Sequence, residues 1–298
     1  NYTNPLFINA DNTTRIISIW DQSKRNDNQQ DVPYGTQYTK EQINEALASD
    51  NPSSIVPEFD PDGHGTYMAG LACGNIDDDN DFYGMAPLSS IAFVKLKDAK
   101  NMLKDFYGVE RSIVCYQEND ILTGVNYLVN IANSLSKPLV ICIGLGTNMG
   151  DHNGYGFLGE YLGYVSTQFG RCVCVAAGNE ANVAHHYRNK MLSDDTYQDV
   201  LLRVGPATKS FTMQMWTNAP DVMSVGFISP IGEIYDRVPA RINEGRVIRF
   251  TLEPTIINLD YFLFGQGVGD EQIDMRFVNA TSGIWTIRIF NESIIDGT

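Results

Sequence analysis

No stretch of this 298-residue sequence stays apolar for long. The longest uninterrupted runs, residues 138–146 and 172–178, fall far short of the roughly 20 residues that cross a bilayer. Basic residues are scarce: 21 Lys and Arg stand against 36 Asp and Glu, a formal charge of −15. Such a chain repels a phosphate backbone, so nucleic acid is not expected as a partner, and neither is a membrane. Its acidic surface would suit basic partners or cations. Cysteines are few and odd in number: Cys73, Cys115, Cys142, Cys172 and Cys174, with no CxxC pair. Three of them sit in apolar runs, where a thiol behaves as a small hydrophobe. No disulfide framework is expected, and a reducing or anaerobic setting fits.

What is present reads as an ordinary globular chain, 43% hydrophobic and 19% charged, long enough to bury a sizeable core. Its texture changes near residue 195. Before that point, apolar strands alternate with helical patterns. Residues 16–20 (IISIW), 91–96, 139–143 and 172–177 read as strands. Residues 39–48 read as a helix: Thr39 can cap it and Gln42 follows three residues on. Residues 120–136 carry apolar side chains at helical spacing, and 157–168 suggest a further helix. Unbroken apolar strands alternating with helices predict a parallel sheet covered on both faces. After residue 195 short alternating runs are punctuated by Gly, Pro and Asn: 200–204, 211–216, 222–228, 247–252, 261–264, 273–278 and 285–290. This spacing predicts a separate all-β module, a sandwich of jelly-roll-like type. The expected domains are therefore 1–194 and 195–298.

Two strings carry chemistry. The first is Asp62-Gly63-His64-Gly65-Thr66, opening a stretch of small residues. A histidine between two glycines can approach a nucleophile without steric cover, and the glycines let the backbone pack tightly. An imidazole can take a proton from a hydroxyl and return it to a leaving group. The second is Cys174-Val175-Ala176-Ala177-Gly178-Asn179-Glu180, an apolar strand ending in a Gly-Asn turn. An Asn side chain there can donate its amide N–H to a developing oxyanion. Removing such a donor costs about 10²–10³ in turnover. A lone His in a capping loop, or a lone Gly-Asn turn, would be unremarkable. The two together, in this order, are not.

Those two strings closely resemble the motifs of the subtilisin-like serine protease (subtilase) family, HGTxxAG around the catalytic His and AAGNE around the oxyanion Asn. The string YGMAP, residues 83–87, and the run LVICIGLG, residues 139–146, resemble the family's GVAP turn and its strand ending in Ser-Leu-Gly. The string TRIISIWDQ, residues 14–22, is similar to a branch of clostridial subtilases that includes spore-germination proteases, which also carries a β-sandwich insertion. The resemblance covers residues 1–190. It implies a subtilisin-like three-layer α/β fold with a partial parallel sheet, and hydrolysis of peptide bonds in a protein or peptide substrate. It implies His64 as general base and Asn179 as oxyanion donor. Substrate would lie beside Leu145 and Gly146, with Ala176, Ala177 and Gly178 walling the P1 pocket. A spore-associated or extracytoplasmic setting in a Gram-positive anaerobe goes with that branch.

The sequence departs from the family in two places. No Gly-Thr-Ser-x-Ala string supplies a nucleophile: Gly297-Thr298 stands in the context IIDGT, and Ser53, Ser54, Ser89, Ser210 and Ser282 lack the small-residue setting. The family's Asp-Thr-Gly string is also absent. Asp21 follows an apolar run and precedes His64, yet it is followed by Gln22-Ser23 and is expected to be structural. The chain thus looks truncated just after the Asp motif and before the Ser motif, and inactive by itself. Such a sheet would self-associate or be completed by a partner segment. A pseudoprotease that binds without cleaving is the competing reading. A sandwich using Trp216, Tyr235, Tyr261 and Trp285 as an aromatic binding face is another. No cofactor is expected. Asp77, Asp78, Asp79 and Asp81 could hold Ca²⁺ but lack the Gly and downstream Glu of a recognised loop, so they read as a solvated acidic loop. His185-His186 reads as a surface pair.

Overall fold

The structure is a computed structural model that describes residues 1–25, 31–192, 195–241, 245–263 and 269–293. In chain order its elements are β1 (Ile16–Asp21), β2 (Thr36–Thr39), α1 (Lys40–Leu47), α2 (His64–Cys73), β3 (Ile91–Lys95), α3 (Asn101–Tyr107), α4 (Glu118–Ser134), β4 (Leu139–Ile143), α5 (Phe157–Thr167) and β5 (Arg171–Val175). The strands β6 (Tyr197–Val204), β7 (Ser210–Thr217), β8 (Val222–Ile228), β9 (Ile234–Val238), β10 (Gly245–Arg249), β11 (Ile256–Phe262), β12 (Glu271–Val278) and β13 (Gly283–Ser293) follow. The chain forms two compact units. One comprises Asn1–Asp98, Cys115–Leu145 and Tyr164–Ala177; the other comprises Ala99–Val114, Gly146–Gly163 and Gly178–Thr298. Among the described residues, no helix is long and apolar enough to cross a membrane.

In the first unit β1 lies between β2, antiparallel to it, and β3, parallel to it. β4 and β5 form a second parallel pair, in register from Leu139–Arg171 to Ile143–Val175. The expected parallel strands are there, hydrogen-bonded as two separate sheets among the described residues. The antiparallel strand β2 was not expected. Its four residues bury Thr36 and Tyr38 on alternate positions, a pattern too short to read in sequence. α1 starts where its sequence says. Thr39 Oγ1 accepts from the Gln42 N–H and Gln42 Oε1 accepts from the Thr39 N–H, closing a capping box. Its Ile43 and Ala46 join Phe7, Ile16, Ile19, Tyr38, Val56 and Ile91 in one core. The sheet of β4 and β5 is not covered on both faces: Val140 and Val175 are exposed, as are Cys142, Cys172 and Cys174.

In the second unit the strands from residue 197 onward make two four-stranded antiparallel sheets, in the orders β10-β11-β12-β7 and β6-β13-β8-β9. Alternation decides which side chains meet. Along β12, Ile273, Met275 and Phe277 point to the shared core, while Asp274 and Arg276 lie between them. Ile248, Ile257 and Leu259 from the same sheet face Val225, Phe227 and Ile287 from the other. Trp285 is fully buried, with its ring edge-on to Phe250 at 5.1 Å and to Phe277 at 5.5 Å. Its indole N–H donates to Thr281 O at 2.9 Å. Tyr261 is also buried, its hydroxyl donating to Val238 O at 2.7 Å. These two rings are core, which removes them from an aromatic binding face. The strand expected at 261–264 runs instead over Ile256–Phe262, with Phe264 outside the described residues, as are Gly297 and Thr298.

β9 and α3 were not expected either. α3 is hard to read because its one buried residue is a lysine. Lys104 is 1% exposed, and its ammonium donates to Arg111 O and Ile113 O, stapling the loop that follows. Gly108, at φ +71°, ends the helix in the left-handed conformation, and that was the available signal.

Candidate functional site

The Asp-Gly-His-Gly-Thr string forms the entry to α2, and His64 is its first residue. Gly63 caps the helix at φ +78°, and a Cβ added to it would meet nothing within 4 Å. The glycine is therefore required for backbone conformation rather than for close packing, a correction to the sequence reading. Carboxylates replace the missing cap. Asp62 Oδ1 accepts from the His64 N–H at 3.1 Å, and Asp60 Oδ1 from the Gly63 N–H at 3.2 Å. Asp60 Oδ2 accepts from both the N–H and the hydroxyl of Thr66, each at 2.7 Å. Burial alone would raise the Asp60 pKa, but the Thr66 bonds bring it below the usual range. Two acidic groups at a helix N-terminus are also favoured by the helix dipole.

The His64 side chain itself is exposed. Gly144, one residue past β4, lies against it: a Cβ there would sit 3.2 Å from His64 Cε1 and 3.5 Å from Met68 Cε. The structure thus brings Gly144, within the LVICIGLG run, to the imidazole. Neither Asp60 nor Gly144 was singled out from sequence. Asp60 carried a weak signal, an acidic residue shortly before a helix start. Gly144 carried none beyond its place in the run.

Asp21 is fully buried at the end of β1. Its Oδ1 accepts from the Ser23 N–H at 2.7 Å and hydroxyl at 2.6 Å, and its Oδ2 lies 3.5 Å from Lys95 Nζ. Glu58 completes the group, 3.1 Å from Lys95 and 3.2 Å from Lys24. Burial followed by a hydrogen bond and charge repulsion from Asp21 raises the Glu58 pKa, and Lys95 opposes this. Burial would raise Asp21 as well, but the Glu58 and Ser23 hydrogen bonds and Lys95 bring it below its ordinary value. Two carboxyls and two lysines therefore knit β1 to the segment leading into Asp60.

The remaining sequence-chosen residues follow β4 and β5 along the chain. Ala176 N–H donates to Ile143 O at 3.0 Å, continuing the ladder of β4 and β5. Ala176 and Ala177 are exposed beyond it, and Leu145 is half-buried. In the second unit, Gly146 and Gly178 are backbone neighbours: a Cβ on Gly146 would lie 3.3 Å from Gly178 Cα. Gly178 takes φ +86°, and Asn179 follows it, exposed. Next to it the Glu180 carboxylate holds His185 Nδ1 at 2.7 Å. His186 lies ring to ring with His152 at 4.4 Å.

Three of the serines weighed above serve local turns: Ser53 Oγ donates to Asn51 Oδ1, Ser54 Oγ to Asn51 O and Ser89 Oγ to Ala86 O. Asp77 spends its carboxylate on Asn80, whose N–H and side-chain amide both donate to it. Among the described residues, no group of three or more His, Cys, Asp or Glu side chains is placed to hold a metal ion.

Comparison with known proteins bears on this arrangement. The model of the subtilase family matches residues 28–238. Among solved structures, the CspB protease of Clostridium perfringens is similar over 100% of this chain, with 32% sequence identity and a TM-score of 0.82. This chain spans 59% of that protein's length. A search of curated proteins finds no match. With an α/β unit carrying the histidine string, and a family model covering most of its length, the chain belongs to the subtilase family.

Proposed function

We propose that the protein is a subtilisin-like serine endopeptidase, and that these 298 residues carry its general base, His64, and its oxyanion donor, Asn179. The observation that carries the reading is the entry to α2. An exposed imidazole stands on the first helical residue, its backbone is fixed by Asp60 and Asp62, and Gly144 leaves its ring room. A proton-transfer group needs accessibility and a fixed position together.

The reaction follows from those groups. A serine hydroxyl attacks the peptide carbonyl carbon while His64 takes its proton. The Asn179 amide donates to the oxygen, which gains negative charge. The tetrahedral species then expels the amine, which leaves with the proton returned by His64, and water repeats the cycle on the acyl-enzyme. The triad acid is assigned to a residue other than Asp21, whose oxygens serve Ser23 and Lys95. Substrate lies extended beside Leu145 and Gly146, with Ala176, Ala177 and Gly178 forming one wall of the P1 pocket. No cofactor is needed for these steps. Residues 1–194 are assigned to the catalytic, three-layer part and 195–298 to a jelly-roll-like insertion. In that insertion the first and last strands, β6 and β13, pair as neighbours.

No Gly-Thr-Ser string occurs within the 298 residues, so this chain alone is assigned no acyl-transfer activity. Labelling with a serine-directed fluorophosphonate tests the whole reading. The chain alone should stay unlabelled. A form that also carries a Gly-Thr-Ser-x-Ala string should label in proportion to active sites, and lose labelling in His64→Ala. Near-stoichiometric labelling of the chain alone would refute the assignment, as would an His64→Ala variant that labels at the original rate.

A further inference from the structure

Two imidazoles face each other in the loops that follow β4 and β5. His152 lies between β4 and α5, His186 between β5 and β6, and both belong to the second unit. Their ring centroids are 4.4 Å apart at an interplanar angle of 30°, and both residues are exposed. The proteolytic steps proposed above use neither ring.

His152 is fixed in position. Its Nδ1 lies 2.9 Å from Gly150 O. A carbonyl oxygen only accepts, so the proton of the neutral ring sits on Nδ1 and the lone pair is left on Nε2. Gly150 is itself anchored, its N–H donating to Gln214 Oε1 on β7 at 2.9 Å. The Asp151 carboxylate accepts the Asn153 and Tyr155 N–H groups at 3.2 Å and 3.3 Å, which orders the loop around the ring. Imidazoles that bind metal are held in this way, one nitrogen tied to an oxygen and the other left open. His186 makes no hydrogen bond among the described residues, so its ring can turn to present either nitrogen. Its chain neighbour His185 is directed to Glu180 instead, at 2.7 Å.

We propose that His152 and His186 together bind one transition-metal cation of the zinc class, with water at its remaining positions. The donors select the class. Imidazole nitrogen suits zinc, copper and nickel, whereas calcium and magnesium take oxygen. The separation fits as well. Two nitrogens bound to one tetrahedral zinc at about 2.0–2.1 Å lie roughly 3.3 Å apart. Rings 4.4 Å apart reach that spacing by tilting together at the coordinating edge. Two protein ligands make an open, exchangeable site, weaker than a closed four-ligand one. The ion would tie the two loops at their far ends, since Gly146 and Gly178 already meet as backbone neighbours at the near ends. This inference does not depend on protease activity.

The test titrates cobalt(II), a coloured stand-in for zinc, into the chelator-treated 298-residue chain, with zinc as competitor. One equivalent should bind and be displaced by zinc, with a spectrum that lacks a thiolate-to-metal charge-transfer band. That band matters because Cys172 and Cys174 place their sulfurs 4.0 Å apart and thiolates also take these ions. His152→Asn, which tolerates the positive φ of that residue, and His186→Gln should each weaken binding at least tenfold. Both sites are exposed, so both variants should fold. His185→Gln should leave the affinity unchanged. The proposal fails if no cobalt binds, or if the bound ion shows the thiolate band and survives both histidine variants. It fails equally if His185→Gln weakens binding and His186→Gln does not.

Discussion

Gly144→Ala probes whether the room beside His64 matters. Gly144 is not in the left-handed region, so alanine is compatible with its backbone. The new Cβ would lie 3.2 Å from His64 Cε1, against 3.5 Å and 3.7 Å from Met68 Cε and Cγ. Comfortable carbon–carbon contacts begin near ~3.5 Å. The methionine end can swing away; the imidazole can only shift, by a few tenths of an ångström. Misplacing a catalytic group by 1 Å costs about 10²-fold, so the alanine should lower kcat about 3–10-fold. Gly144→Val, with two further methyls, should approach ~10²-fold. The loss should fall on kcat and not on KM, because the imidazole acts in the transition state. Stability should change little, because the gain of about 0.4–1 kcal/mol from restricting the unfolded chain offsets the crowding at His64. The assay is kcat and KM on a peptide amide, with Tm alongside, in a form that also carries the serine string. Wild-type kcat in both variants would sink the idea, and so would an activity loss that merely tracks a falling Tm.

Two further outcomes follow from the packing. Glu58 has a folded pKa raised above its ordinary value, so the stability it supplies is fully present below about pH 4.5 and is lost as pH rises through the folded value. Glu58→Gln should therefore flatten the decline above pH 4.5, read as urea midpoints against pH; superimposable slopes would disprove the role given to the Asp21 pair. Trp285→Ala, at a fully buried ring, should cost about 3–5 kcal/mol and lower Tm by roughly 10 °C. A fall of only ~3 °C would mean that the indole is not core, and would return it to the pool of ligand-binding aromatics.

The parts legible in sequence are those whose cause is local. The capping box of α1 is written in residues 39 and 42, and the structure forms it from those two side chains. The alternation in β12 places Ile273, Met275 and Phe277 in the core without reference to any other strand. The histidine string names its own helix start. What sequence did not reveal depends on distant neighbours. Gly144 matters because of what α2 places above it, and Lys104 is buried because two carbonyls further along the loop take its ammonium. Neither β2 nor β9 has more than five residues, and neither shows a period long enough to stand out from a loop.

The acidic excess, which from composition suggests basic partners or cations, has a more immediate use. Carboxylates repeatedly accept backbone N–H groups at loops and helix entries. Asp11 does so for Thr13, Asp60 for Gly63 and Thr66, Asp62 for His64, and Asp98 for Cys115. In the second unit Asp195 holds the Leu192 N–H, and Glu233 holds those of Thr251 and Leu252 with both oxygens. Each such bond satisfies a donor that loop backbone leaves unpaired, and each favours the charged carboxylate. The directions agree: Asp11, Asp60, Asp195 and Glu233 all lie below their ordinary pKa values. Glu271 also accepts a backbone N–H, from Met223, yet it moves the other way, because burial outweighs that single bond. The same chemistry that makes an acidic residue a loop staple at the surface leaves it short of a partner in the interior.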